Sequence, residues 1–146
     1  MLYGSIEAGG TKFVCAIGDE EMTIKERVSF PTTTPEETMP LVIDFFKQYQ
    51  ADLAGIGIGS FGPIDIHRDS ATYGYITSTP KLAWQNFDFI GTMKKEFPIP
   101  ISWTTDVNAA AYGEYVFGSG KGLSSVVYYT IGTGAVSYTH LTLPTN

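Results

Sequence analysis

An apolar run that meets two glycines and is followed at once by a second apolar run has little choice but to turn tightly on itself. Ile6-Glu7-Ala8-Gly9-Gly10-Thr11-Lys12 is such a segment: the run from Leu2 to Ile6 enters it and Phe13 to Ile17 leaves it. The spacing predicts two strands joined by a hairpin. Glycine permits positive φ and lets backbone N–H groups come close to an anion. Thr11 adds a hydroxyl and Lys12 a mobile positive charge. The segment therefore reads as a phosphate-cradling hairpin, built differently from the strand-to-helix P-loop. A Gly-Gly pair is equally a common connection in ordinary hairpins, so the reading depends on what else the chain carries.

A second turn of the same kind occurs at Tyr128-Tyr129-Thr130-Ile131-Gly132-Thr133-Gly134, again after a β-branched run (Val126, Val127). Two Gly/Thr turns at strand ends can close on one polyphosphate from opposite sides. Between them, Trp103-Thr104-Thr105-Asp106-Val107-Asn108-Ala109-Ala110-Ala111 reads as a strand that runs into a helix. Asp106 stands at the junction, where open α/β sheets hold ligands. The helix N-terminus favours an ionised carboxylate there, and such a group accepts the proton of a hydroxyl attacking a phosphoryl centre. By position alone, the simpler role for Asp106 is to cap a helix starting at Val107. Asn108, in the first turn, is placed to bond a substrate hydroxyl or to orient Asp106. The three alanines read as packing residues, and Glu114 as part of a solvated helix face.

The remaining pattern gives β-β-β-α-β-loop-α-β-α-β, with early strands near 2–7, 12–18 and 23–30. A helix begins near Thr34, with Thr34 as N-cap, Pro35 at the first helical position and Glu37 completing a capping box. Leu41, Val42, Phe45, Phe46 and Tyr49 recur at helical spacing. Pro40 is discordant, and predicts either a kink or a start moved to about Thr38. Residues 54–60 form a central strand whose alternating glycines allow close packing against a helix. A shorter helix over 89–97, a strand over 101–105 and a helix over 107–117 follow. Residues 118–122 read as a hinge-like loop.

Charge excludes one class of partner. Nine Lys and Arg against 15 Asp and Glu give a net charge of -6, with no basic stripe to neutralise a nucleic-acid backbone. Without a long apolar run or a signal peptide the chain is expected to be cytoplasmic, with no membrane partner. Cys15, the single cysteine, lies mid-strand and is expected to be a buried, inert thiol. Together with His67 and His140 it offers no metal-ligand spacing.

Five segments in order, EAGGTK (7–12), Phe61-Gly62-Pro63, Thr79-Pro80-Lys81, TDVNAAAYGE (105–114) and TIGTG (130–134), resemble the ROK family of sugar kinases, within the actin-like ATPase (ribonuclease H-like) fold. Glu7, the FGP turn and the TPK…W stretch are most similar to the fructokinase branch. The resemblance implies an α/β lobe with a mixed sheet flanked by helices, carrying only the start of a second lobe. It implies ATP-dependent phosphorylation of D-fructose to fructose 6-phosphate, with Asp106 as the catalytic base. Gly9, Gly10, Thr11, Lys12, Thr130, Gly132, Thr133 and Gly134 would face the ATP phosphates. Gly62, Pro63, Lys81, Trp84 and Asn108 would face the sugar, with Phe61 walling the apolar side. Trp84 either stacks on a sugar face or anchors its loop. Glu7 would hold Mg²⁺ through water, although many relatives carry Asp there. Zn²⁺ and a homodimer are implied for the full-length protein, with the zinc ligands absent from this chain.

The resemblance stops after Gly134. Residues 135–146 show no amphipathic period and no cap signal, and read as a non-family tail left by truncation or a frameshift. The expected organisation is a first lobe over 1–118, then a hinge loop and the first strand of the second lobe over 119–134. Such a fragment is expected to be inactive by itself. Competing readings are a glucokinase or N-acetylmannosamine kinase of the same family, or a non-catalytic ROK sugar-sensing regulator. The regulator is disfavoured by the acidic charge and by a strand that starts directly after Met1.

Overall fold

The computed structural model describes residues 1–131 and the backbone of strand Val136–Thr142; residues 132–135 and 143–146 lie outside the description. Its framework is a five-stranded mixed sheet. β1 (Leu2–Ala8), β2 (Lys12–Asp19) and β3 (Ile24–Pro31) form an antiparallel meander, while β4 (Leu53–Ser60) and β7 (Ile101–Thr105) extend it in parallel on the other side of β1. The strand order is β3-β2-β1-β4-β7. Two short strands, β5 (Tyr75–Ile76) and β6 (Phe87–Asp88), pair separately. This is the α/β arrangement that the sequence predicts.

Period-two alternation decides which face of the sheet is dry. Ile6, Phe13, Cys15, Ile17, Ile56, Ile58 and Trp103 lie in register on one face and are all buried. Against them pack α1 (Pro35–Lys47) through Met39, Val42, Phe45 and Phe46, and α2 (Phe89–Glu96) through Ile90 and Met93. Burial pushes the Cys15 thiol up to about 12, so it stays protonated and inert at neutral pH.

The opposite face is covered differently. Helix α3 (Asp106–Phe117) crosses β4, where a Cβ on Gly59 would stand 2.8 Å from Ala109 Cβ. Only the absence of a side chain there lets the helix sit so close to the strand. The rest of this face, with Glu7, Val14, Ala16, Gly57 and Thr104, lines a groove of about 800 Å³.

The start of α1 departs from its predicted form. Thr34 is the N-cap residue, yet its side chain makes no capping bond. Thr38 ties the helix to the segment before it: its buried hydroxyl accepts from Thr33 N–H (3.1 Å) and donates to the Pro31 carbonyl (3.1 Å). The helix also runs from Pro35 straight through Pro40, so the start does not shift to Thr38. At this position proline forfeits one bond, to the carbonyl four residues back, and the buried stripe beyond it carries the helix. The segment expected to be a non-family tail, 135–146, is described in part. Its part over Val136–Thr142 is a strand, β9, paired antiparallel with β8 (Ser125–Ile131). An open edge of unpaired backbone groups is satisfied by the chain that follows it.

An aromatic cluster packs against the core side of the sheet. Trp84 has no exposed surface; its ring centroid is 5.2 Å from Phe13, 5.9 Å from Phe61 and 5.2 Å from Phe87. Phe89 continues the cluster to Trp103 at 5.4 Å. The Trp84 indole N–H donates to the Thr33 carbonyl at 2.9 Å. Trp84→Ala is therefore expected to lower stability by about 3–5 kcal/mol, the range for deleting a large buried aromatic, measured by urea unfolding at constant m.

Candidate active site

The parallel register brings the sequence motifs to one rim. Ala8, Ser60 and Thr105 are paired neighbours across β1, β4 and β7. The next residue of each strand is therefore Gly9, Phe61 and Asp106, so the glycine hairpin, the FGP turn and the start of α3 emerge side by side. Phe61 N–H donates to the Ala8 carbonyl at 2.8 Å and joins the first two directly.

The hairpin is held from both sides. Gly9 N–H donates to the Lys12 carbonyl (3.0 Å), and Thr32 N–H donates to the Thr11 carbonyl (3.0 Å). Thr32 Oγ1 donates to the Gly9 carbonyl at 2.8 Å. Neither Gly9 nor Gly10 takes positive φ; among the described glycines only Gly74 and Gly122 do. The glycines serve clearance instead. A Cβ on Gly9 would lie 2.7 Å from the Lys12 carbonyl oxygen, and one on Gly10 would lie 3.3 Å from Lys81 Cε. Thr11 and Lys12 are exposed at the tip.

At the start of α3, the cap belongs to Thr105, not Asp106. Thr105 Oγ1 accepts from Asn108 N–H at 3.1 Å, and Asp106 is the first helical residue. Asp106 Oδ1 accepts from Val107 N–H at 2.9 Å. Burial pushes the Asp106 carboxyl above the ordinary aspartate value, the Glu7 charge adds to that, and backbone N–H groups of Val107 and Asp106 itself oppose it. A partly buried carboxylate of raised basicity, relieved of capping, is suited to accept a proton. Glu7 is exposed on β1, on the face of the sheet where Asp106 and Asn108 line the same groove.

Gly62 and Pro63 form a turn with a cis peptide bond between them. The Pro63 carbonyl accepts from both the N–H (2.8 Å) and the hydroxyl (3.1 Å) of Thr77. Asp65 braces the following loop: its carboxylate accepts from Thr72 Oγ1 (2.7 Å) and His67 N–H (2.9 Å), and its carbonyl from Trp103 Nε1 (3.0 Å). The next loop carries Lys81 and Trp84. With both faces of Trp84 packed in the core, no face is open to a sugar ring, so the loop-anchor role is the one the structure gives it. Lys81 lies over the glycine hairpin, with its Cε beside Gly10. Thr130 is half-buried on β8, while Gly132, Thr133 and Gly134 lie outside the described residues.

Sequence reading missed the threonines. Thr32, Thr33, Thr38 and Thr79 tie the hairpin, α1 and the Lys81 loop together through hydroxyl and carbonyl groups. The run Thr32-Thr33-Thr34 was a legible signal, since clustered hydroxyls between a strand and a helix are placed to bond backbone.

Residues 3–136 match the profile of the ROK family. The chain belongs to that family. This ROK chain is 63% identical over 133 residues to a fructokinase of Streptococcus mutans, covering 91% of this chain and 45% of that protein. It is 56% identical over 134 residues to a fructokinase of Pediococcus pentosaceus, covering 92% and 46% respectively. Among solved structures, a ROK glucokinase from Streptomyces griseus in complex with glucose and AMPPNP superposes with a TM-score of 0.81 at 27% identity, covering 97% of this chain and 45% of that one. The chain thus spans about half the length of these relatives, and its fold is the amino-terminal part of the actin-like ATPase architecture.

The raised basicity of Asp106 is open to direct measurement. In a carboxyl ¹³C NMR titration of the ROK chain, the Asp106 midpoint is expected above the usual aspartate value. Removing the neighbouring charge by Glu7→Gln should move it down, because a nearby negative charge disfavours the ionised form; an unmoved midpoint would show that the two carboxylates do not sense each other.

Proposed function

We propose that this chain is the amino-terminal lobe of an ATP-dependent fructokinase. The observation that carries the proposal is one rim on which a glycine hairpin with a free cationic tip stands beside a proton-accepting carboxylate, Asp106. The 56% and 63% identities to fructokinases, against 27% to a glucokinase, support fructose over glucose.

In the reaction, the Asp106 carboxylate takes the proton of the fructose 6-hydroxyl as its oxygen attacks the γ-phosphorus of ATP. The bond to the β–γ bridging oxygen breaks and ADP leaves with that electron pair. Backbone N–H groups at Gly9 and Gly10, with Thr11 and Lys12, receive the phosphates. The family resemblance assigns Thr130, Gly132, Thr133 and Gly134 to the same phosphates. Gly62, Pro63 and Asn108 line the sugar side and hold its hydroxyl in line with the phosphoryl group, a positioning effect that accounts for much of such catalysis.

The acids present fit a magnesium ion. Mg²⁺ uses one or two carboxylates and keeps several waters beside substrate phosphates, and Glu7 and Asp106 line one groove. Glu7 would hold the ion through water, and when bound it neutralises charge on the phosphates.

The test uses the enzyme at the full length of its relatives. Coupled ADP release across fructose, glucose, mannose and N-acetylmannosamine is expected to give the highest kcat/KM for fructose. A preference for glucose would overturn the substrate, and no sugar-dependent release would overturn the kinase. Asp106→Asn is expected to lower kcat by about 100-fold or more, the scale for losing a general base, with little change in sugar or ATP affinity. Near-normal turnover would reduce Asp106 to a structural residue at the helix start.

A further inference from the structure

We propose that Lys81 is a phosphoryl-contacting residue, its ammonium group delivered across the Gly9–Gly10 hairpin to the phosphate oxygens and not to the sugar. This inference rests on the kinase reading and changes the place of Lys81 within it. The Lys81 methylene next to the ammonium, Cε, lies 3.3 Å from the point where a Gly10 side chain would begin. Gly10 has no side chain, so the lysine can lie directly over the turn.

The loop that carries Lys81 is built as one piece with that turn. Lys81 N–H donates to the hydroxyl of Thr79, itself buried, at 3.3 Å, and Trp84 N–H donates to the Lys81 carbonyl at 2.9 Å. Gln85 Nε2 donates to the Thr79 carbonyl at 2.9 Å. Trp84 then locks the loop to Thr33 through its indole N–H, and the preceding Thr32 holds Gly9 and Thr11. The backbone of Lys81 is thereby fixed relative to the hairpin, and only its side-chain torsions remain to be set.

Its charge is also uncommitted. The salt bridges among the described residues engage the N-terminus, Lys25 and Lys47; Lys81, half-buried, has no carboxylate within that range. Lys81 Cε lies over Gly10 and Lys12 follows that glycine by two residues, so two cations adjoin one glycine turn. Neutral sugar hydroxyls gain little from an ammonium placed there. Phosphate oxygens, whose charge is redistributed in the transition state, gain much more from a fixed cation.

The test compares Lys81→Met, which keeps the aliphatic stem and removes the charge, with Lys81→Arg, which restores a cation. In the full-length enzyme, Lys81→Met is expected to lower kcat about 10- to 100-fold while the fructose KM changes less than about threefold; Lys81→Arg should recover a large part of the loss. In a second, sugar-free measurement, tripolyphosphate binding followed by calorimetry in Mg²⁺-free buffer should weaken about 10-fold in Lys81→Met. A raised fructose KM with kcat retained would return Lys81 to the sugar, and unchanged tripolyphosphate affinity would remove it from the phosphates; either result overturns the proposal. Absence of sugar-dependent turnover in the wild type together with weakened tripolyphosphate binding in the variant would sink the kinase reading and leave Lys81 as an anion ligand.

Discussion

One hydrogen bond, from the Trp84 indole to the Thr33 carbonyl, joins two segments that are far apart in sequence and hold the two sides of the site. A buried indole N–H without a partner would be costly, so this bond and the packing of the ring on Phe13, Phe61 and Phe87 are satisfied together or not at all. Thr33 adjoins Thr32, which grips the glycine hairpin. Trp84 stands just after Lys81. Through this single ring the core fixes the distance between the hairpin and the lysine loop.

Above that anchor the rim gathers groups of opposite sign. Lys12 and Lys81 adjoin the glycine turn, while Glu7 and Asp106 line the groove beside it. The separation suits phosphoryl transfer, which needs cations at the phosphates and a proton acceptor at the incoming hydroxyl. Burial, with a smaller addition from the Glu7 charge, raises the basicity of Asp106, and Thr105 relieves it of capping. Catalytic suitability at this position arises from neighbours and not from the aspartate alone.

Some features could be read directly along the chain. The two apolar runs over 2–6 and 13–17, meeting at Gly9 and Gly10, foretold a pair of strands joined by a tight turn, because a chain that leaves a buried strand and re-enters one within a few residues has little other course. Strand 101–105 and the helix after it were legible from a β-branched run ending at a helix start. Of the two consequences expected of Pro40, the later start does not occur, because the apolar stripe carries the helix from Pro35 through the proline. Thr34 is the N-cap residue that the pattern indicated, but a cap preference does not reveal whether the side chain makes the capping bond, and here it does not.

The sequence by itself determined the hairpin, the order of strands and helices, the candidate acids and the family, since each rests on local periodicity or on residues adjacent in the chain. The tertiary structure alone decided that Trp84 is an anchor, that Thr105 caps α3 and that Lys81 lies over Gly10. Those outcomes depend on which distant backbone carbonyl a donor meets and on which glycine leaves room for a neighbour. Such relations arise only when the parallel register of β1, β4 and β7 brings separate loops to one edge, and no spacing along a single chain encodes them in readable form.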